Sequence, residues 1–242
     1  MCSKAPFGAW TELTAEIIAC RGCPRLVAHR ERIAATPRPS FAGSNYWGKP
    51  VPGFGDPAAR LLVIGLAPAA HGANRTGRMF TGDASGAWLM RALYRAGFAN
   101  RPTSDHRDDG LVLHDGFITA ACRCAPPENR PTAAELAACR RFLARELELL
   151  PHVQVVVALG RIAFDVYLSI VREQGGGWPD GARRKPSFAH GRCYRWPDRR
   201  PILIASYPPS RQNTQTGRLT EAMLDDVFRT ARRLLDLAKP QP

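Results

Sequence analysis

The stretch 60-RLLVIGLAP-68 decides the fold, because it is a continuous apolar run that stops at a glycine and a proline. Such a run is typical of a parallel strand that is buried on both faces. Three further runs have the same character: 116-GFITAAC-122, 153-VQVVVALG-160 and 201-PILIAS-206. Together the four runs predict a parallel sheet of four strands.

Helical patterns separate these runs, and one follows each of them. The predicted helices are 84-ASGAWLMRALYRAGF-98, a segment from Thr132 to Leu150, a segment from Arg161 to about Val171, and 219-LTEAMLDDVFRTARRLLDLA-238. The second of them opens with Thr132 and Glu135 at the spacing of a capping box. Strands that alternate with helices predict an α/β fold whose sheet is covered on both faces. No internal repeat is found, so we interpret residues 1–242 as one domain.

The charge of the chain indicates a polyanionic partner. Its 34 Lys and Arg outnumber its 21 Asp and Glu, which gives a formal net charge of +13, and 30 of the basic residues are Arg. Arginine pairs bidentately with phosphate. A GC-rich genome would explain the excess of Arg over Lys, but it would not explain the net charge, so we expect nucleic acid.

The same sequence gives no sign of a membrane or of export. No run of about 18 apolar residues is present, so we expect no membrane-spanning helix. The start, 1-MCSKAPFGAW-10, lacks the apolar core of a signal peptide, and we therefore expect a cytoplasmic protein.

Seven cysteines are present, and in a cytosolic chain they predict thiols or metal ligands. Cys20 and Cys23 form a C-x2-C pair on a helix-breaking turn, whereas Cys124 falls on a loop and Cys139 inside a predicted helix. Four thiolates suit a tetrahedral metal or a [4Fe–4S] cluster, and a single C-x2-C pair favours iron–sulfur over zinc. Unrelated buried cysteines are the alternative. Cys122 competes as a ligand, but we prefer Cys124 because it begins the loop after the second strand.

The loop 65-GLAPAAHGANRTGRMFTGD-83 lies at the carboxyl end of a strand, where ligands bind in such sheets. It lacks the glycine patterns of dinucleotide and P-loop sites, but its small residues let a ligand approach the backbone. Phe80 suits either stacking on a base or core packing. Asp83 is expected to cap the helix after it, with a catalytic carboxylate as the alternative. His71 is a ligand donor or a loop histidine, and Asn74 a turn former or a water-positioning residue.

The loop 206-SYPPSRQNTQTG-217 follows the fourth strand and contains no acidic residue. Polar side chains of this kind contact phosphates or wedge beside a base pair. An exposed turn is the alternative. The candidate DNA-contacting residues are Ser210, Arg211, Gln212 and Asn213.

Three segments together resemble the type B, or family 5, uracil-DNA glycosylases. They are 65-GLAPAAHGANRTGRMFTGDASG-86, 119-TAACRCAPPENRPTAAEL-136 and 206-SYPPSRQNTQTGRLTEAML-224. The resemblance implies a three-layer α/β/α sandwich with a central four-stranded parallel sheet. It also implies removal of uracil from DNA, and type B members often accept hypoxanthine or xanthine as well. We expect a monomer that acts on damaged double-stranded DNA, with single strands left open.

The resemblance also assigns residues. It implies a [4Fe–4S] cluster held by the four cysteines Cys20, Cys23, Cys124 and Cys139. Phe80 takes the place of the ring that stacks on the flipped base, and Asn74 that of a residue that holds the catalytic water. Gly65, Ala67 and Ala120 are expected beside the base.

Two positions depart from the family pattern. Pro208 stands where a histidine that donates to the base is expected, and proline has no donor. Loss of such a donor costs about 2.7–4 kcal/mol of transition-state stabilisation. Ala120 stands where some members carry an Asn that reads the base. Base discrimination by a side-chain amide is therefore weakened, unless Asn129 or His71 takes over this role. The sequence therefore predicts a slow enzyme or an altered base range. An inactive DNA-binding protein, an iron–sulfur redox module and a zinc protein remain the alternatives.

Overall fold

A computed structural model describes residues 6–198 and 200–237, and its centre is a sheet of six strands. The strands are β1 (Phe54–Gly55), β2 (Leu61–Gly65), β3 (Gly116–Ala120), β4 (Val155–Leu159), β5 (Cys193–Tyr194) and β6 (Ile202–Ser206). Their order across the sheet is β1-β3-β2-β4-β6-β5. The neighbours among β3, β2, β4 and β6 pair in parallel, which confirms the four predicted strands.

The two outer strands were not predicted. β1 pairs with β3 and β5 with β6, both antiparallel, and each outer strand is two residues long. They lie in loops rich in Gly, Pro and Arg, where so short a strand leaves no periodic pattern. The sheet is therefore larger than predicted, although its parallel centre is as predicted.

The helices within the described residues are α1 (Pro6–Ala19), α2 (Pro24–Ala35), α3 (Ala73–Thr76), α4 (Ala84–Arg95), α5 (Ala133–Leu149), α6 (Arg161–Glu173), α7 (Arg211–Gln215) and α8 (Glu221–Leu237). The predicted capping box at α5 is present. The Glu135 N–H donates to Thr132 Oγ1 at 3.2 Å, and the Thr132 N–H donates to Glu135 Oε2 at 2.7 Å. None of the described helices is long and apolar enough to cross a membrane.

Alternate residues of the central strands enter two separate cores, as the two faces of a strand require. On one face, Val63 and Val157 pack with apolar residues of α4 and α8. On the other face, Leu62 and Val156 pack with apolar residues of α5 and α6. Helices therefore cover both faces of the sheet, which confirms the three-layer α/β/α arrangement.

A third, smaller core joins α1 and α2 to the main body. Leu13, Ile17 and Leu26 from these helices pack against Phe142 of α5 and against the cysteines that follow β3. The Arg25 Nε donates to Glu135 Oε1 at 2.8 Å and ties α2 to α5. This core places the C-x2-C turn beside the end of β3.

Candidate active site and four-cysteine cavity

Phe80 covers the backbone at the carboxyl end of β2. A Cβ atom added to Gly65 would lie 2.7 Å from the Phe80 ring, so only glycine leaves the ring this close. Ala120 of β3 is the register partner of Gly65. Three residues predicted to lie beside the base therefore meet at one end of the sheet. Phe80 itself has φ +51°, a left-handed conformation that costs free energy for an aromatic residue.

Two arginines hold the Phe80 loop in this shape. The Arg78 Nε donates to Thr81 Oγ1 at 2.9 Å, and its Nη2 donates to Asp109 Oδ2 at 2.7 Å and to Ser104 Oγ at 3.0 Å. The Arg75 guanidinium donates to the carbonyls of two residues of the same loop. Hydrogen bonds on both sides of Phe80, buried on the Arg78 side and partly buried on the Arg75 side, therefore offset its backbone strain.

Asp83 caps α4, as predicted, because its Oδ1 accepts from the Gly86 N–H at 2.8 Å. Its carboxylate also lies against the backbone of the loop, since a Cβ atom on Gly72 would overlap Asp83 Oδ2. Burial raises the pKa of Asp83, although hydrogen bonds from backbone N–H groups at the start of α4 act against the rise. A carboxylate is thus placed directly beside the segment that carries His71 and Asn74, and its catalytic role stays a prediction.

His71 and Asn74 contact different partners. The His71 Nδ1 is 2.9 Å from the Tyr46 hydroxyl, and burial lowers the pKa of the imidazole. Asn74 is fully buried, and its Nδ2 donates to the Arg30 carbonyl at 3.3 Å. Its Oδ1 is buried without a hydrogen-bond partner among the described residues. Asn74 therefore joins α3 to the backbone of α2, and its binding of a water molecule stays a prediction.

The loop after β6 begins at a stacked pair of rings. The Tyr207 N–H donates to His190 Nδ1 at 3.0 Å, and the two rings stack at 4.9 Å with an angle of 8° between their planes. The Arg218 guanidinium lies 4.6 Å from the Tyr207 ring centroid. Both ends of the segment 207–218 therefore meet on one aromatic ring.

Pro208 lies at the same end of the sheet as Phe80. Its ring packs on Gly160, the residue after β4, because a Cβ atom there would lie 3.4 Å from the proline. The Pro208 carbonyl accepts from Asn213 Nδ2 at 3.0 Å. Ser210 caps the short helix α7, so Ser210 and Asn213 bind within the loop. Arg211 and Gln212 are exposed, and they are the side chains of this group turned to solvent.

The four predicted metal ligands line one cavity. Cys20 and Cys23 come from the turn between α1 and α2, Cys124 from the loop after β3, and Cys139 from α5. Ala67 packs against the small apolar core that contains Cys124 and Cys139. Cys122 does not line the cavity, and its thiol points to the Cys124 carbonyl at 3.5 Å.

Two buried arginines border this cavity and carry positive charge. Arg30 is 2% exposed, and its Nη1 donates to Cys124 Sγ at 2.9 Å. The Arg123 N–H donates to Cys139 Sγ at 3.4 Å, and its buried guanidinium pairs with Glu146 at 2.6 Å. Hydrogen bonding with Cys122, together with the Arg123 N–H, lowers the pKa of Cys139 to about 6. Burial raises the pKa of Cys124 to about 12 and also raises the pKa of Cys23, and the Arg30 guanidinium acts against both rises. Positive charge beside the cavity therefore offsets part of the cost of a buried thiolate.

Four cysteines that line one cavity are a donor set of the kind that holds an iron–sulfur cluster or a tetrahedral metal ion. In residues 6–198 and 200–237, no three His, Cys, Asp or Glu side chains are arranged to hold one metal ion. In a cluster the thiolates bind different irons, so the four sulfurs stay apart around a common space. The four cysteines line one cavity, and the group that they hold stays a prediction.

Known proteins with similar sequences show the family of this chain. Residues 52–232 match the family model described as the uracil DNA glycosylase superfamily. The type-5 uracil-DNA glycosylase of Thermus thermophilus is 52% identical over 221 residues, covering 91% of this chain and 96% of that protein. The Mycobacterium leprae protein of the same name is 50% identical over 231 residues, covering 94% and 96%. That of Pyrobaculum aerophilum is 44% identical over 226 residues, covering 93% of each. The chain therefore belongs to the uracil DNA glycosylase superfamily, and within that class to the type-5 family.

Sequence reasoning missed several residues that shape the site. Arg30 and Arg123 look like ordinary basic residues in the sequence, because nothing in their spacing shows that they are buried. Gly72 left a weak signal as one of many glycines, and its contact with Asp83 needs the folded loop. The pairing of His190 with Tyr207 joins residues whose elements are neighbours only in the sheet.

Proposed function

We propose that this protein flips uracil out of damaged DNA and hydrolyses the N-glycosidic bond, which leaves an abasic site. The carrying observation is the Phe80 ring held over Gly65 and beside Ala120, in a chain about half identical to type-5 uracil-DNA glycosylases. An enzyme that acts on a base in a duplex must first take it out of the stack. Stacking on an aromatic ring contributes about 1–3 kcal/mol per base.

The carboxylate of Asp83 is the candidate group for the hydrolytic step. Bond cleavage leaves positive charge on the sugar and negative charge on the departing base. Ionised Asp83 stabilises the sugar cation and accepts a proton from the attacking water, whose oxygen bonds to the sugar carbon as the C–N bond breaks. Its raised pKa makes it a better proton acceptor than an exposed carboxylate. Backbone N–H groups of the small-residue loop supply donors to the base.

Pro208 and Ala120 set the rate and the base range in this proposal. Neither side chain can donate to a base, so the leaving uracil receives less stabilisation than in a protein with histidine at the first position. A pocket without a side-chain amide at position 120 discriminates less between bases. Hypoxanthine and xanthine are therefore proposed as further substrates.

We also propose that Cys20, Cys23, Cys124 and Cys139 hold a [4Fe–4S] cluster. When bound, such a cluster would cross-link α1 and α2 to α5 and to the loop after β3. The protein residues, not the cluster, carry the hydrolysis. Iron and sulfide content, together with visible absorbance, distinguishes it from zinc.

The function is tested with uracil, hypoxanthine and xanthine oligonucleotides, by cleaving abasic sites with alkali after incubation. We expect cut strands for uracil with the native protein. Absence of cleavage for all three bases would refute the proposed glycosylase activity.

A histidine at position 208 tests the rate argument. Pro208→His is expected to raise kcat for uracil by roughly a hundredfold, because it restores one donor. Pro208→Ala is the matched control, since it removes the ring without adding a donor, and it should leave kcat low. A native rate equal to that of Pro208→His would contradict the proposed effect of Pro208.

The missing donor also favours a second candidate, a DNA-damage-binding protein without turnover. In that case the native protein binds uracil-containing duplex more tightly than undamaged duplex and cuts neither. Only Pro208→His would then release the base.

A further inference from the structure

Arg30 contacts both the four-cysteine cavity and the loop that carries the candidate active-site residues. Its Nη1 donates to Cys124 Sγ at 2.9 Å and its Nη2 to the Cys20 carbonyl at 3.3 Å. Its own carbonyl accepts from Asn74 Nδ2 at 3.3 Å. No sequence pattern singled out this residue, and the hydrolysis described above does not use it.

The charge of Arg30 requires a buried anion. Within the described part of the chain, the carboxylate within 4.0 Å of its guanidinium is Glu31, at 3.9 Å. Glu31 is 44% exposed and already pairs with Arg21 at 2.5 Å. Removal of a cation from water costs free energy that a distant, exposed carboxylate offsets only in part. Four thiolates around a cluster carry net negative charge, so the group that balances Arg30 is the one in the adjacent cavity.

The backbone carbonyl of Arg30 contacts the segment between His71 and Phe80 through Asn74. Asn74 is fully buried in α3, and its carbonyl accepts from the Gly48 N–H at 3.1 Å. The Arg30 carbonyl is thus one of the fixed points beneath the segment between His71 and Phe80. A shift of the α2 backbone at Arg30 would move Asn74 and the loop with it.

We propose that Arg30 is a positioning residue that connects the iron–sulfur cluster to the segment between His71 and Phe80, which carries the candidate active-site residues. Its N–H···S hydrogen bond stabilises the reduced cluster and so raises the reduction potential, while its carbonyl fixes α3. The proposal rests on the proposed cluster and, for the loop, on the proposed function.

The test compares Arg30→Met and Arg30→Lys with Arg32→Met, a change of an exposed arginine on the same helix. In the iron-loaded protein, Arg30→Met is expected to show a more negative reduction potential and faster loss of visible absorbance in air. Amide hydrogen exchange in α3 should increase. For uracil, kcat should fall with KM unchanged, because the loop that carries the candidate active-site residues loses its fixed position while the base still binds. Arg30→Lys keeps the charge and should fall between the native protein and Arg30→Met.

Each half of the proposal has its own contrary result. A potential equal to that of Arg32→Met overturns the contact with the cluster. A changed potential with unchanged exchange in α3 and unchanged kcat overturns the link to the loop. If Arg30→Met does not retain iron, Arg30→Lys decides both points. The potential and the exchange need no turnover, so a native protein that fails to release uracil would refute the proposed function without touching these two readouts.

Discussion

Phe80 combines a costly backbone conformation with close contact to a glycine. Its positive φ is a strain that the surrounding hydrogen bonds of Arg78 and Arg75 sustain. Strain of this kind persists where the surroundings fix it, and such positions cluster at functional sites. The ring is therefore held in one position, as the proposed stacking on a base requires, and that position depends on the absence of a side chain at Gly65.

We expect Gly65→Ala to displace the Phe80 ring and lower kcat/KM for uracil by about tenfold, which corresponds to roughly 1.4 kcal/mol of lost stacking. The added Cβ would lie 2.7 Å from the ring, a distance that requires the ring to move. Steady-state kinetics on a uracil duplex measures the effect. Gly116→Ala is the matched control, because the nearest atom to its Cβ would be 3.7 Å away. Equal kinetics for the two variants would contradict the role given to Phe80.

At the scale of elements, length separates what the sequence predicted from what it missed. The four central strands and the helices α4, α5, α6 and α8 bury long apolar patterns, and all were predicted to within a few residues. The helices α3 and α7 have four and five residues, too few for a 3.6-residue period. They form because the loops around them are anchored by contacts distant in sequence. The Asp83 cap was predictable because a cap is a local pattern.

The same distinction applies to the candidate site. The motif loops and the four cysteines could be located from sequence, because spacing and residue type carry that information. Which side chains face each other could not, since burial of Arg30 and Asn74 depends on how α2 packs on α3. The exposure of Arg211 and the internal bonding of Asn213 likewise follow from the fold of one loop.

The Arg78–Asp109 pair holds the Phe80 loop against the segment 104–109, and it gives a pH-dependent contribution to stability. Burial by itself would raise the pKa of Asp109, but hydrogen bonds from Arg78, Leu111 and Asp105 outweigh it and lower the pKa well below its usual range. The contribution is therefore fully present above the unfolded pKa of about 3.9 and is lost as the pH falls towards the folded value.

We expect Asp109→Asn to lower the free energy of unfolding at pH 7 by about 3 kcal/mol, because a buried arginine loses its anion. The difference from the native protein should shrink below about pH 4, because the Asp109 carboxyl of the unfolded chain takes up a proton there while that of the folded protein stays ionised. Denaturant unfolding at several pH values measures both effects. Asp105→Asn in the same exposed loop serves as control and should change little. A difference that grows towards low pH would contradict the assignment.

For the whole molecule, the net charge of +13 makes affinity for DNA depend on salt. Each phosphate neutralised releases counterions, so log Kd should rise linearly with log salt concentration. With six to ten phosphate contacts, affinity should fall by about 10³–10⁵ between 50 and 200 mM salt. Fluorescence anisotropy with uracil-containing and undamaged duplexes measures this salt dependence. The two slopes should be similar because the protein contacts the same number of phosphates in each duplex. Affinity independent of salt would exclude the electrostatic mode of binding.

The contact between Arg25 and Glu135 joins residues 110 positions apart, and the four cysteines are divided in the same way along the chain. During translation, at about 5–20 residues per second, Cys20 and Cys23 leave the ribosome roughly 6 to 25 s before α5 is complete. For that interval the two early thiols have no partners, and the surface of α2 that will meet α5 is bare. The four-cysteine site is therefore complete only late in synthesis. The proposed cluster could be inserted only then, and it would require surroundings that keep the first two cysteines reduced until α5 has formed.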